Sequence, residues 1–397
     1  MASTSWADLP VALILRVAPL FPCLPDRIRM SCLNRHWRAV VKRDEQQEPR
    51  REPRPELPWL LLPSTTDPSF YTTIGDKRFA LATLPPDVRA ARFCGSFGGG
   101  WLALALSHPP HAHALYNLNS GVRIDLPRLT DDGHPVTVRV ATFSATPSRP
   151  PSEAYLVGAI IQGSTEPCVA FWQRWMGEWV SSGSPISGTA GEELHDIIYY
   201  RGGFHVITST ERMVVYVPQR GDDGQLSAVD TKFYDAPQRE DYDEDVRIQS
   251  DVGGWMDRYL VVSRGELLMV VRYVFQTEDT QMFRVFRLDI EEPADEDHLP
   301  RASWGQFVGI LEGRMLFVGH GCSRSFDVAD FDEFEDSTIY FYDDRFAIAK
   351  PVMGETRYHL TDSGKFYMDD NMVAVWPQED LGFPGASDRA PPIWWLH

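Results

Sequence analysis

Cysteine is scarce in this 397-residue chain. The five residues, Cys23, Cys32, Cys94, Cys168 and Cys322, are odd in number, scattered, and never spaced as Cys-x-x-Cys. That excludes a disulfide framework and a zinc knuckle, and leaves reduced, buried thiols as the expectation, with the cytoplasm or nucleus as the compartment. No apolar run reaches the 18 residues that a transmembrane helix needs. Residues 1–8 lack the basic and apolar regions of a secretory signal. A Gly-x-Ser-x-Gly nucleophile elbow is missing as well.

Positive charge is the minority sign: 38 Lys and Arg face 56 Asp and Glu, for a net −18. Ten of those basic residues and seven of the acidic ones fall in residues 1–56, so that stretch carries +3 and the rest −21. An acidic body repels polyanions, so neither nucleic acid nor an anionic membrane is expected as a partner. A basic protein partner is permitted. Apolar residues make up 43% of the chain and aromatic ones 12%, with 12 tryptophans, enough for a large packed core.

Residues 6–43 read as three short helices. Leu9, Leu13, Ile14, Val17 and Leu20 recur at three-to-four spacing and form one apolar face. Asp8 is placed to cap the first helix, with Pro10 in its first turn, and Pro19 and Pro22 end it. Asp26 caps a second helix carrying Ile28, Met30 and Leu33. Asn34 caps a third, with Trp37, Val40 and Val41. About 40 residues bury too little to fold alone, so such a unit wants a partner surface or a neighbouring domain. Residues 44–58 are charged, proline-rich and without apolar period, a linker. Within it, Arg50, Arg51 and Arg54 are interleaved with acids and read as solvated linker rather than as an import signal.

From Trp59 the pattern changes to short β-branched and aromatic runs separated by Gly, Pro, Asp and Ser. Tyr259–Ser263, Leu267–Val274, Phe283–Leu288 and Trp304–Ile310 form a set of four strands. Tyr155–Ile161, Val169–Arg174 and Glu178–Ser181 form part of another, and His195–Tyr200, Phe204–Thr208 and Met213–Val217 part of a third. Four-stranded units recurring about every 45–50 residues describe a β-propeller, in which each blade hides its edges against its neighbours. Over residues 59–397 that spacing predicts roughly seven blades, within a range of six to eight. Ile393–Leu396 is expected to pair near Trp59–Leu62 and close the ring, since an open ring leaves sheet edges bare. The whole chain is then α+β and multidomain: a three-helix leader followed by an all-β propeller.

The leader resembles the F-box family, on Trp6-x-Asp8-Leu9-Pro10, Leu13, Ile14, Val17 and Leu20, and on Leu33-Asn34-Arg35-His36-Trp37-Arg38. The remainder resembles plant F-box proteins with a KIB-type β-propeller. The residues that carry this are Pro58–Pro63, Gly95-Ser96 with Gly100-Trp101-Leu102, Leu311–Gly319, Ser337–Asp344 and Pro391-Pro392-Ile393-Trp394-Trp395. The resemblance implies a substrate-recognition subunit of an SCF-type cullin ubiquitin ligase, with no chemistry of its own. It implies that Leu9, Pro10, Leu13, Ile14 and Val17 line the surface for a Skp-type adaptor, and that Leu33 and Trp37 close the helical core. The propeller would then hold a protein client.

Other features receive plainer readings. Gly95–Gly100 has no Lys and precedes an apolar strand, so it reads as a blade turn rather than a phosphate loop. His111 and His113 stand at period two with no third ligand nearby, and are read as loop residues. His195-Asp196 could pair a base with its orienter, but reads as a strand-edge pair. The acidic runs Glu240–Asp245, Glu291–Asp297 and Asp327–Asp336 read as solvated loops, or as a negative rim for a basic client. No metal site and no cofactor are expected. The competing reading is a sugar-acting propeller, with carboxylates converging on the central channel.

Overall fold

The computed structural model describes residues 9–17, 30, 34–40 and 56–396, except that within the last range 65–67, 74–76, 82–83, 108–110, 132–133, 148–154, 163–166, 183–191, 222–225, 234–241, 243–244, 248–252, 275–278, 292–300, 308–309, 332–333, 345–357, 360–361, 377–385 and 388–389 lie outside the description. The chain divides into two compact units: residues 1–57 with 73–75, and residues 58–72 with 76–397.

In the first unit, α1 spans Val11–Val17 and α2 spans 35–40. The Leu13 and Ile14 amides both donate to the Pro10 carbonyl, at 2.9 and 3.2 Å, so Pro10 stands just ahead of the helix it starts. Asn34 is the cap expected of α2: its Oδ1 accepts the Trp37 amide at 2.9 Å. Ile14, Met30, Trp37 and Val40 form one buried cluster, with Leu9, Leu15 and Val17 at its margin. Asp8, Pro19, Pro22, Asp26, Leu33 and Val41 lie outside the described residues.

The second unit is an all-β propeller of six blades, its strands numbered here in chain order. Blade I holds β1 (Trp59–Leu62), β2 (Ser69–Thr72) and β3 (Lys77–Ala80), completed by β29 (Ile393–Trp395). A short helix, α3 (Pro86–Arg89), leads into blade II: β4 (Arg92–Phe97), β5 (Trp101–Leu106), β6 (Ala112–Asn117) and β7 (Arg123–Leu126). The small pair β8 (Thr130–Asp131) and β9 (His134–Pro135) precedes blade III, which is β10 (Thr137–Phe143), β11 (Leu156–Gln162), β12 (Pro167–Gln173) and β13 (Val180–Ser181). Blade IV is β14 (Leu194–Tyr200), β15 (Gly203–Thr208), β16 (Met213–Arg220) and β17 (Leu226–Phe233). Blade V is β18 (Trp255–Ser263), β19 (Glu266–Val274), β20 (Thr280–Glu291) and β21 (Arg301–Phe307). Blade VI joins β22 (Arg314–Phe317), β23 (Arg324–Asp327), β24 (Thr338–Phe341), β26 (Gly364–Tyr367) and β27 (Met372–Val375) in the order β23-β22-β24-β26-β27, with β22 and β24 parallel. The pair β25 (Tyr358–His359) and β28 (Ala386–Ser387) stands apart.

Six blades correct the expectation of roughly seven. The first strands of blades II to VI begin at residues 92, 137, 194, 255 and 314. One 45-residue spacing is thus followed by spacings of 57, 61 and 59, because the later connections are long. Ring closure is as expected: Trp59, Leu60 and Leu61 pair antiparallel with Trp395, Trp394 and Ile393.

The strand sequences follow from their place in the blade. A middle strand is covered on both faces by neighbouring blades, so β5 is an unbroken apolar run, β15 and β19 are mostly apolar with His205 and Arg272 enclosed among them, and all three are almost wholly buried. Outer strands are half-covered; β7 alternates exposed and intermediate residues along Arg-Ile-Asp-Leu. Apolar seams fill the spaces between blades. Between blades VI and I the seam is aromatic: Trp394 stacks on Trp376 at 5.9 Å and meets Phe317 edge-on at 5.0 Å.

Candidate functional sites

Two places hold the side chains that could act. In the helical unit, Leu13 and Val11 are exposed, 44% and 47%, on the same short helix whose Ile14 is fully buried. Pro10 is exposed, and Leu9 and Val17 are half-buried. Of the residues assigned to the adaptor surface, then, Leu13 and Pro10 face outward, Leu9 and Val17 flank the cluster, and Ile14 and Trp37 lie within it. The His36 ring bonds the Leu9 carbonyl through Nε2 at 3.0 Å, tying the start of α1 to α2.

The second place is the propeller axis. The segment Gly319–Ser323 touches the innermost strand of all five other blades. The Ser96 amide of β4 donates to the Gly321 carbonyl at 3.1 Å. A side chain at Gly321 would meet the Ala141 carbonyl oxygen of β10 at 2.8 Å, and its φ of +69° also favours glycine. The Gly321 amide donates to Asp196 Oδ1 of β14 at 2.9 Å, and the His320 ring lies 4.6 Å from that of Tyr259 on β18. The Cys322 thiol bonds the backbone of Trp394 on β29. A segment in contact with all of these lies on the axis and fills it.

Polar groups surround that segment. Asp196 accepts the amides of Ile197, Leu260 and Gly321, at 2.9 Å each, and so pins blades IV, V and the axial segment together. Burial nevertheless pushes its pKa up to about 6. Asp344 bonds the His320 ring through Nδ1 at 2.7 Å and accepts the Tyr259 hydroxyl at 2.8 Å. Arg272, with no exposed surface, donates to Asp362 at 2.7 Å and to Asp344 at 3.3 Å. Burial opposes ionisation of Asp344, but His320 and Arg272 outweigh it and hold its carboxyl below the usual range. Burial would lower His320, yet Asp344, Asp257 and Asp196 together push it up to about 9. Asp257 is pushed up to about 7 by burial, against the pull of His320.

His195 sits at a β-bulge between Leu194 and Asp196, and β4 and β10 carry bulges at Cys94 and Arg139. The extra residue re-aims the side chain of each inner strand. His195 and Asp196 stand on an edge strand, as the sequence suggests, but that strand is the innermost of blade IV and both residues are buried beside the axis. Three carboxylates do converge there, as a sugar-acting propeller requires. Asp196, Asp257 and Asp344 are each no more than 2% exposed, though, and none has a face open to a sugar. Among the described residues, His195, Asp257 and His320 are the group whose geometry could hold a metal ion.

The remaining candidates resolve simply. His113 is buried, accepts the Val138 amide at 3.1 Å through Nε2, and is pushed down to about 4 by burial; His111 bonds Thr137 through Nδ1 at 3.1 Å. The two histidines thus join blade II to blade III. In the Glu240–Asp245 run, Asp245 is not a solvated loop residue. It is buried, accepting the Tyr273 hydroxyl at 2.6 Å and pairing with Arg284 at 3.0 Å. Residues 240, 241, 243, 244, 292–297 and 332 lie outside the described residues, while Asp330, Glu335 and Asp336 are exposed. The axial convergence was invisible in sequence because its members lie at residues 196, 257, 320 and 344. The traceable signal is an Asp near the start of two successive inner strands, followed by Gly-His-Gly.

No curated protein matches the chain significantly. The WD40 domain of SCAP from fission yeast is a structural match at 10% identity and a TM-score of 0.29, covering 81% of this chain and 85% of that one. The model of the KIB1-4 beta-propeller family matches residues 70–374, most of the chain, and the chain belongs to that family.

Proposed function

We propose that this chain is the substrate-recognition subunit of an SCF-type cullin ubiquitin ligase. The N-terminal helices dock on a Skp-type adaptor, and the propeller presents a protein client. The observation that carries the first half is Leu13 and Val11, large apolar side chains left in water on the helix that buries Ile14. The second half is supported by a propeller whose polar centre is fully enclosed, which leaves its outer surface for binding. The chain does no chemistry; it raises the local concentration of client lysine at the ligase-bound donor. Its place of action is the cytoplasm or nucleus, and no helix among the described residues is long and apolar enough to cross a membrane.

The full chain is expected to co-purify with a Skp-type adaptor and, through it, a cullin. Replacing Leu9 and Leu13 by Ala together should abolish this. Normal binding by the double variant would show that the adaptor face lies elsewhere. Client ubiquitylation in a reconstituted ligase separates a degradative receptor from a scaffold that binds the adaptor without promoting turnover.

A further inference from the structure

We propose that His195, Asp257 and His320 bind a divalent transition-metal ion of the zinc class at the propeller axis. Each residue offers one ligand atom, and the three atoms lie within 4.8 Å of one another. His195 Nδ1 and Asp257 Oδ1 are 3.6 Å apart. That exceeds the span of a good hydrogen bond and is close to the edge, about 3.3 Å, of a tetrahedron built from zinc bonds of about 2.0–2.1 Å.

Two further atoms point to a ligand. His320 Nε2 and Asp257 Oδ2 are both buried and make no hydrogen bond. Leaving such a group unsatisfied is costly, and a protein tolerates it where something else occupies the position. Meanwhile the opposite ring nitrogen of His320 is held by Asp344 at 2.7 Å. A carboxylate behind a histidine is the arrangement that fixes the tautomer of a metal ligand and aims its free nitrogen. Two imidazoles and a carboxylate suit zinc over calcium or magnesium, which prefer oxygen. With both oxygens of Asp257 engaged, the set supplies four donor atoms.

His195 Nδ1 also accepts the Arg258 amide at 3.2 Å, a long bond that the metal would replace. The ligands come from β14, β18 and the axial segment, so the ion would clamp two blades to the plug. Because all three residues are at most 4% exposed, it would enter during folding rather than by diffusion into the finished ring.

The test uses the full chain, purified without chelator from cells grown in zinc-supplemented medium. Elemental analysis should find one equivalent of metal per chain. Cobalt supplied in place of zinc should give the visible absorption of a low-symmetry, four- or five-coordinate site. Asp257→Asn, which keeps the shape, should lose the bound metal. Asp344→Asn should weaken zinc binding about 10–100-fold. Exposed His134→Ala should retain the full equivalent. A folded wild-type chain with no stoichiometric metal, its polar atoms met by water alone, would overturn the proposal without any variant. So would an Asp257→Asn chain, folded by circular dichroism, that still holds one equivalent. Neither result bears on adaptor binding.

Discussion

The helical unit and the propeller axis treat their side chains in opposite ways. The first leaves apolar residues in water: Leu13 and Val11 stand exposed beside the buried cluster of Ile14, Met30, Trp37 and Val40. The second takes charges out of water: Arg272, Asp344 and His320 are buried and bonded to one another or to backbone, and Asp257 is buried beside them. Exposed apolar area favours association with something else. A buried ionic network gains nothing from a partner and is strongly destabilising to break. On that contrast the proposed recognition belongs to the surface and rigidity to the axis. Substitutions in the two regions should therefore separate binding from stability.

The largest effect is expected from removing β29. Ending the chain at residue 388 deletes the buried side chains of Ile393, Trp394 and Trp395, together with the pairing that closes blade I. Each of these is worth roughly 1.5–3 kcal/mol of burial, a large part of a typical stability of about 5–15 kcal/mol. The truncated chain should show no cooperative melting transition. A transition like that of the full chain would mean that ring closure contributes little.

Next comes Asp344→Ala. It strips His320 and Arg272 of a shared partner and leaves buried charge uncompensated, at a cost of about 3–5 kcal/mol. Chemical denaturation should show a lowered midpoint with adaptor binding retained in the folded fraction. An unchanged midpoint would place the stabilising interactions elsewhere.

A smaller effect concerns acid. Burial holds His113 and His205 down at about 4 in the folded chain, against about 6.5 in an unfolded one. Between those values the unfolded state binds the extra protons, so stability should fall as pH drops from about 6.5 towards 4. Above 6.5 both states are neutral and these two groups contribute no slope. Each is worth at most about 3.4 kcal/mol. His113→Gln keeps an acceptor for the Val138 amide and should flatten the acid limb. The same limb in the variant would assign it to other groups.

What could be read from sequence follows the reach of each interaction. The Asn34 cap, the middle strands and the pairing of residues 393–395 with 59–61 were legible, because local spacing and continuous apolar runs encode them. The count of blades was not, since long connections between inner strands break the period. Outer strands such as Arg123–Leu126 were missed because half-covered residues lose the apolar signal. The axial network stayed hidden for a different reason. Its residues come from blades IV, V and VI and meet only when those blades pack together, and a bulge at His195 turns inward a side chain that simple alternation would misplace.

The smallest expected change in stability belongs to the residue on which the proposed function depends most. Leu13→Ala removes an exposed side chain and should alter the melting temperature little, since surface substitutions usually stay within about 0.5 kcal/mol. The decisive measurement is equilibrium binding of the full chain, wild type and Leu13→Ala, to a purified Skp-type adaptor. A one-to-one complex for the wild type, weakened at least about tenfold in the variant, a loss of about 1.4 kcal/mol, is the predicted result. A folded wild type that does not bind, or a variant that binds equally well, would contradict the assignment of this chain as a ligase receptor docked through α1.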